Sequence, residues 1–230
     1  MRTIAAPMVP TGPKSPLPVI NLSELELALH TGDIVFTRIR GTPFRQLADV
    51  TRTWTNHVGI VVGFDSFGAV VAESRIPFSS RTRLTNFVRR SAHGRVAVMR
   101  LSRPLSASEI RRLKCAAGWR IGRLYDTGFN LRSRRQFCSR FVREVLQEST
   151  GAVVGEITTF RELLERNPGT NLSLWKIWFF GRIPWERTTV TPASLYTDAS
   201  LEIVFDGALR RDRKNKWSRR PPSAETPTAN

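Results

Sequence analysis

The chain has 230 residues, 40% of them hydrophobic and 24% charged, enough for a globular domain whose core needs no disulfide framework; two cysteines, Cys115 and Cys138, supply none. Thirty-six Lys+Arg against 19 Asp+Glu give a net charge of +17, so the surface attracts polyanions: nucleic acid, anionic lipid headgroups or a carboxylate-bearing substrate. The histidines (His30, His57, His93) and the two cysteines are scattered too widely for zinc-ligand spacing, no glycine-rich phosphate loop is present, and no apolar run approaches the roughly 20 residues a membrane helix needs, so neither metal nor cofactor is expected and a cytoplasmic protein is the default.

Residues 1–19 are proline-rich and residues 207–230 are basic and proline-rich. Both are expected to be disordered tails around one domain at 20–206, because neither can bury enough apolar surface to offset the entropy of ordering. Within the domain, "NLSELELALHTGD" predicts a short helix opened by Asn21 or Ser23 and closed near Gly32. Four Val- and Ile-rich segments with two-residue alternation follow, "DIVFTRI", "HVGIVVG", "AVVAES" and "VAVMRL", with a turn at Asp65–Gly68 between the second and third. After Pro104 the period changes. Ser106 and Glu109 have capping-box spacing, and Ile110, Leu113, Ala117 and Ile121 follow at helical intervals. A second helix starts around "QFCSRFVREVL", with Phe137, Phe141 and Val145 on one stripe, and a third covers "TTFRELLERN" at 158–167. A Trp-rich stretch at 172–185 reads either as an interfacial membrane anchor or as a buried aromatic cluster, and "LEIVF" at 201–205 is a last strand. Strands in one block and helices in another make the fold class α+β.

The charge is concentrated. Residues 81–143 hold 17 Lys+Arg and two acids, and this stretch ends on the helix carrying Cys138. A thiol attacks as its anion, and a helix start offers unpaired N–H groups and a favourable dipole for one. Arg132, Arg134, Arg135 and Arg140 add positive potential along the chain. Cys115 lies mid-helix and reads as a small buried hydrophobe. His57, at the start of "HVGIVVG", is the candidate base. If the hairpin turns at Asp65–Gly68, Glu73 lies opposite His57 on the next strand, where a carboxylate orients an imidazole. Nucleophile, base and orienting acid together make a thiol-hydrolase core in a solvent-reachable cleft.

The segments "GDIVFTR", "NHVGIVVG", "VVAES", "YDTGF" and "QFCSRFV", in that order, resemble the YebB/YiiX-like group of circularly permuted papain-fold proteins, related to NlpC-type cell-wall peptidases; the resemblance spans about residues 30–205. It implies an antiparallel sheet or barrel packed against a cysteine-bearing helix, with Cys138 as nucleophile, His57 as base and Glu73 as third polar residue. Tyr125 of "YDTGF" matches a tyrosine near the nucleophile that helps form the oxyanion hole. The expected function is a cysteine hydrolase (amidase or peptidase) or acyltransferase, working through a thioester on an anionic amide or ester such as an acidic peptide or a lipid-acyl substrate. The alternative is a non-catalytic basic module binding nucleic acid or an anionic membrane surface.

Overall fold

The computed structural model describes residues 16–41, 50, 51 and 53–210; the tail expectations for 1–15 and 211–230 lie outside the described residues. Among the described residues the strands are β1 (Val19–Ile20), β2 (Ile34–Ile39), β3 (His57–Asp65), β4 (Gly68–Ser74), β5 (Ser79–Arg83), β6 (Ser91–Leu101), β7 (Ile157–Thr159), β8 (Thr188–Val190) and β9 (Leu201–Leu209). The helices are α1 (Leu22–Ala28), α2 (Leu84–Arg89), α3 (Ala107–Gly118), α4 (Cys138–Thr150), α5 (Phe160–Glu165), α6 (Leu172–Trp178) and α7 (Pro192–Tyr196). The main sheet has the order β1-β9-β6-β2-β3-β4-β5 and is antiparallel except where β1 joins β9; β7 and β8 form a separate ribbon. The fold is therefore α+β.

The two-residue alternation sorts side chains onto two buried faces. Ile34, Phe36, Val58, Ile60, Ala97 and Met99 pack with Leu113 of α3 and Phe141, Val142 and Val145 of α4. Their neighbours Val35, Val61, Val71, Val96 and Val98 pack on the other side with Leu25 of α1 and Phe87 and Val88 of α2. Each strand thus serves two layers, which a period of two allows and a helix does not.

The helix starts follow their sequence signals. Asn21 with Glu24, Ser106 with Glu109, and Thr159 with Glu162 each form a reciprocal capping box. α1 stops at Ala28, before Gly32, and α3 stops at Gly118, short of Ile121. The domain also reaches past the boundaries its composition suggested. Val19 lies in β1 and residues 207–209 in β9, because the Ala208 amide donates to Pro18 and the Arg210 amide to Ile20. At Gly207 a Cβ would stand 2.2 Å from the Pro18 carbonyl, so only glycine admits that approach.

Gly59 in β3 is equally constrained. A Cβ there would lie 2.5 Å from Val71 and 2.9 Å from the Phe87 ring. Gly59→Ala is expected to destabilise the fold by about 1–3 kcal/mol through overpacking, read as a lower midpoint in urea. An unchanged midpoint would show that Phe87 has room to retreat.

Candidate active site

β3 begins at His57 because the chain before it is pinned to β2. Asn56 accepts from the Ile39 amide (2.7 Å) and donates to the Ile39 carbonyl (3.0 Å), while the Thr55 hydroxyl donates to Thr37 (2.9 Å). The imidazole that emerges is buried, with its ring centroid 5.4 Å from that of Phe87. Its Nε2 lies 2.6 Å from Glu73 Oε2, also buried. The carboxylate sits slightly off the expected register. The ladder pairs Ile60 with Ala72 and Val61 with Val71, and a bulge before Gly63 shifts the pairing by a further residue. His57 and Glu73 are consequently diagonal neighbours; the two-residue offset keeps both side chains on one face.

Arg90, just past the end of α2, donates to Glu73 Oε1 at 2.6 Å. The two carboxylate oxygens are thus divided between a guanidinium and an imidazole. Burial would raise the Glu73 carboxyl, but the hydrogen bond and charge of His57, with the charge of Arg90, bring it down to about 2. It is ionised at neutral pH and can only accept, so the hydrogen on His57 faces it from Nε2. That leaves Nδ1 for the sulfur.

Cys138 is the first residue of α4. Its N-cap, Phe137, makes no side-chain capping bond, so the first-turn amides keep no acceptor from that position. The segment before the helix is fixed by backbone pairing: Gln136 N–H donates to Leu124 (2.9 Å), Asp126 N–H to Gln136 (2.8 Å) and Tyr125 N–H to Pro77 (2.9 Å). Asp126 then closes the turn by accepting from the amides of Gly128 and Asn130.

Two buried polar atoms at the site, His57 Nδ1 and the Tyr125 hydroxyl, make no hydrogen bond of regular geometry. Both are nonetheless close enough to feel the sulfur. Burial pulls the His57 pKa down most, yet hydrogen bonding toward Cys138 and Glu73, and their charges, push it up to about 9. Burial, then the Cys138 charge and hydrogen bonding toward it, hold the Tyr125 phenol well above its ordinary value, so it stays a neutral donor. The structure therefore brings together Cys138, His57, Glu73 and Tyr125. It does not bring together the other histidines: His93 lines a separate surface cavity of about 340 Å³ with Arg38, Arg40 and Ala92.

Three expectations change. The sulfur is not in an open cleft: Cys138 is 1% exposed and joins the apolar cluster with Phe137 and Tyr125. Cys115 is exposed rather than buried, because its position on α3 lies off the stripe of Leu113, Ala116 and Ala117 that meets the core. The basic stretch is also less free than its composition implied. Arg90, Arg95, Arg100 and Arg120 pair with acids from outside the stretch, and Arg140 spends its guanidinium on Glu144 and three loop carbonyls. Sequence reasoning also missed Phe87, which sits on a six-residue helix with no side-chain cap to announce it, and Arg90, the residue that follows that helix.

The family model for the permuted papain-like amidase enzymes, YaeF/YiiX, C92 family, matches residues 28–205, and this span holds all four site residues. The uncharacterized protein YiiX of Escherichia coli K12 is 28% identical over 182 residues, covering 76% of this chain and 85% of that one. A crystal structure of the metalloprotein YiiX from Escherichia coli O157:H7 superposes with a TM-score of 0.72 at 27% identity, over 78% of this chain and 98% of that one. The chain belongs to the permuted papain-like amidase family, YaeF/YiiX, C92.

Proposed function

We propose that this protein cleaves or transfers an acyl group through a thioester on Cys138. The observation that carries the reading is the pair of orphaned polar atoms, His57 Nδ1 and Tyr125 Oη, both acting on one sulfur at an uncapped helix start. Glu73 holds Nε2–H, so Nδ1 takes the thiol proton before attack and the imidazolium stays beside the sulfur, which then attacks the carbonyl carbon. The negative charge gathering on the carbonyl oxygen is met by the Cys138 amide and the neutral Tyr125 hydroxyl. The imidazolium then gives its proton to the departing amine or alcohol. Water, or an acceptor nucleophile deprotonated by the same nitrogen, attacks the thioester and releases the sulfur. The near-complete burial of Cys138 requires local opening before substrate enters.

An anionic substrate suits the surroundings. Arg123, two residues before Tyr125, and Arg132, Arg134 and Arg135 before Cys138 are exposed and pair with no carboxylate among the described residues. A metal is suggested only by the description of the Escherichia coli O157:H7 relative, and the donor set does not suit one. Among the described residues no group of three or more His, Cys, Asp or Glu is placed to hold an ion. Glu73 is spent on His57 and Arg90, and Tyr125 stays protonated.

The test is intact-mass analysis of the Cys115→Ser chain, which removes the exposed thiol, after mixing with activated acidic peptide esters and lipid-acyl thioesters. A single acyl adduct lost in Cys138→Ala is the expected result. Adducts that survive that substitution, or none with any donor, would refute the reading.

A further inference from the structure

The Trp-rich stretch divides into an inner and an outer side. Trp175 is buried and stacks on Phe179 at 6.0 Å, and both meet Phe160 of α5 edge-on at 5.6 and 5.3 Å. Trp178 Nε1 donates to the Thr127 carbonyl (2.9 Å), tying α6 to the loop that carries Tyr125. The opposite side is apolar and open: Leu174, Ile177 and Phe180 recur at every third residue, Ile177 73% and Phe180 98% exposed. Phe180 also takes a left-handed backbone (φ 52), unfavourable for a bulky side chain, in a turn completed by Gly181. A fully exposed phenylalanine on a strained turn, anchored from behind by a rigid aromatic cluster, is not the residue of a solvated face.

We infer that this knob inserts into the headgroup region of an anionic bilayer, so that the protein docks on a membrane surface with the Tyr125 loop beside the contact. Charge selects this occupant. From Arg166 to Trp185 the chain has no acid, and Lys176 and Arg182 flank the apolar side chains, the composition of an interfacial segment facing anionic lipid. Shape agrees: a protruding knob suits a soft surface, whereas the exposed apolar parts of a few side chains fall short of the roughly 600 Å² a side that a stable protein interface needs. No helix among the described residues is long and apolar enough to cross a membrane, so the contact is peripheral. The inference is independent of the chemistry at Cys138.

Flotation of the full chain with phosphatidylcholine vesicles, with and without phosphatidylglycerol, tests it. The wild type is expected to float with the anionic vesicles. Ile177→Ser/Phe180→Ser is expected to lose binding by roughly tenfold or more with an unchanged melting temperature, and Lys176→Gln/Arg182→Gln to weaken it in a salt-dependent way. Cys138→Ala should float like the wild type, which separates this result from any failure of the acyl chemistry. Three outcomes overturn the inference: no flotation of the wild type; equal flotation of the Ser/Ser variant, which would assign binding to the general basic surface; or a wild-type dimer that the Ser/Ser variant converts to monomer.

Discussion

Acyl transfer by the Cys115→Ser chain is expected to fall by about four orders of magnitude or more in Cys138→Ala, and His57→Ala to lose nearly as much. The two side chains act in one event, since the proton leaving sulfur is the proton Nδ1 receives. The double variant should therefore be no worse than either single one. Stopped-flow measurement of leaving-group release from an activated acyl donor checks this. Additive losses would mean that His57 and Cys138 contribute separately and that His57 is not the base. Tyr125→Phe should cost less, about 10²-fold, because the Cys138 amide remains as an oxyanion donor.

The largest stability effect is expected at Glu73. This buried carboxylate bridges a buried imidazole and the half-buried Arg90. Removing it in Glu73→Ala leaves His57 without its counter-charge, and losing one member of a buried pair costs about 3–5 kcal/mol. Arg90→Ala should cost roughly 1–2 kcal/mol, since the guanidinium is partly solvated. The pH dependence has a definite sign. His57 is raised from 6.5 to about 9, so its stabilising contribution is complete below about 6.5 and is lost as pH climbs through 9. Glu73 is lowered from 4.5 to about 2, so its contribution is complete above about 4.5 and is lost as pH falls through 2. Thermal unfolding of the wild type should show a stability plateau between about pH 4.5 and 6.5, and both flanks should flatten in Glu73→Gln. A variant with the wild-type profile would place the pH dependence elsewhere.

The strands that bury two faces and the capped helices were legible because their signals are local. Val and Ile at alternating positions of β2, β3, β4 and β6, and the Ser106/Glu109 box, need no tertiary partner to be read. β5 was not legible: "SSRTR" is a polar strand that, among the described residues, lies at the sheet edge and pairs with β4 alone. α2 carries no cap, and β1, β7 and β8 are three residues or fewer. At the site, Cys138, His57 and Glu73 could be singled out because each sits at a helix start or a strand position that hairpin arithmetic fixes, and the two-residue slip left parity intact. Arg90 could not, because its distance from Glu73 is set by how α2 folds back over the sheet. Burial was likewise invisible. Cys115 and Cys138 exchange the exposures their sequence context suggested, since exposure depends on which face of α3 meets β3 and on how the Tyr125 segment closes over α4.

Glu73 and the sulfur of Cys138 are expected to hold the His57 imidazole in a charged state through neutral pH. Nitrogen-15 NMR of the histidine ring across pH 5–10 reads this directly. The expected result is a ring protonated on both nitrogens at neutral pH that titrates near 9, with the transition moving down in Cys138→Ala and in Glu73→Gln. A His57 that titrates near 6.5 and ignores both substitutions would contradict it.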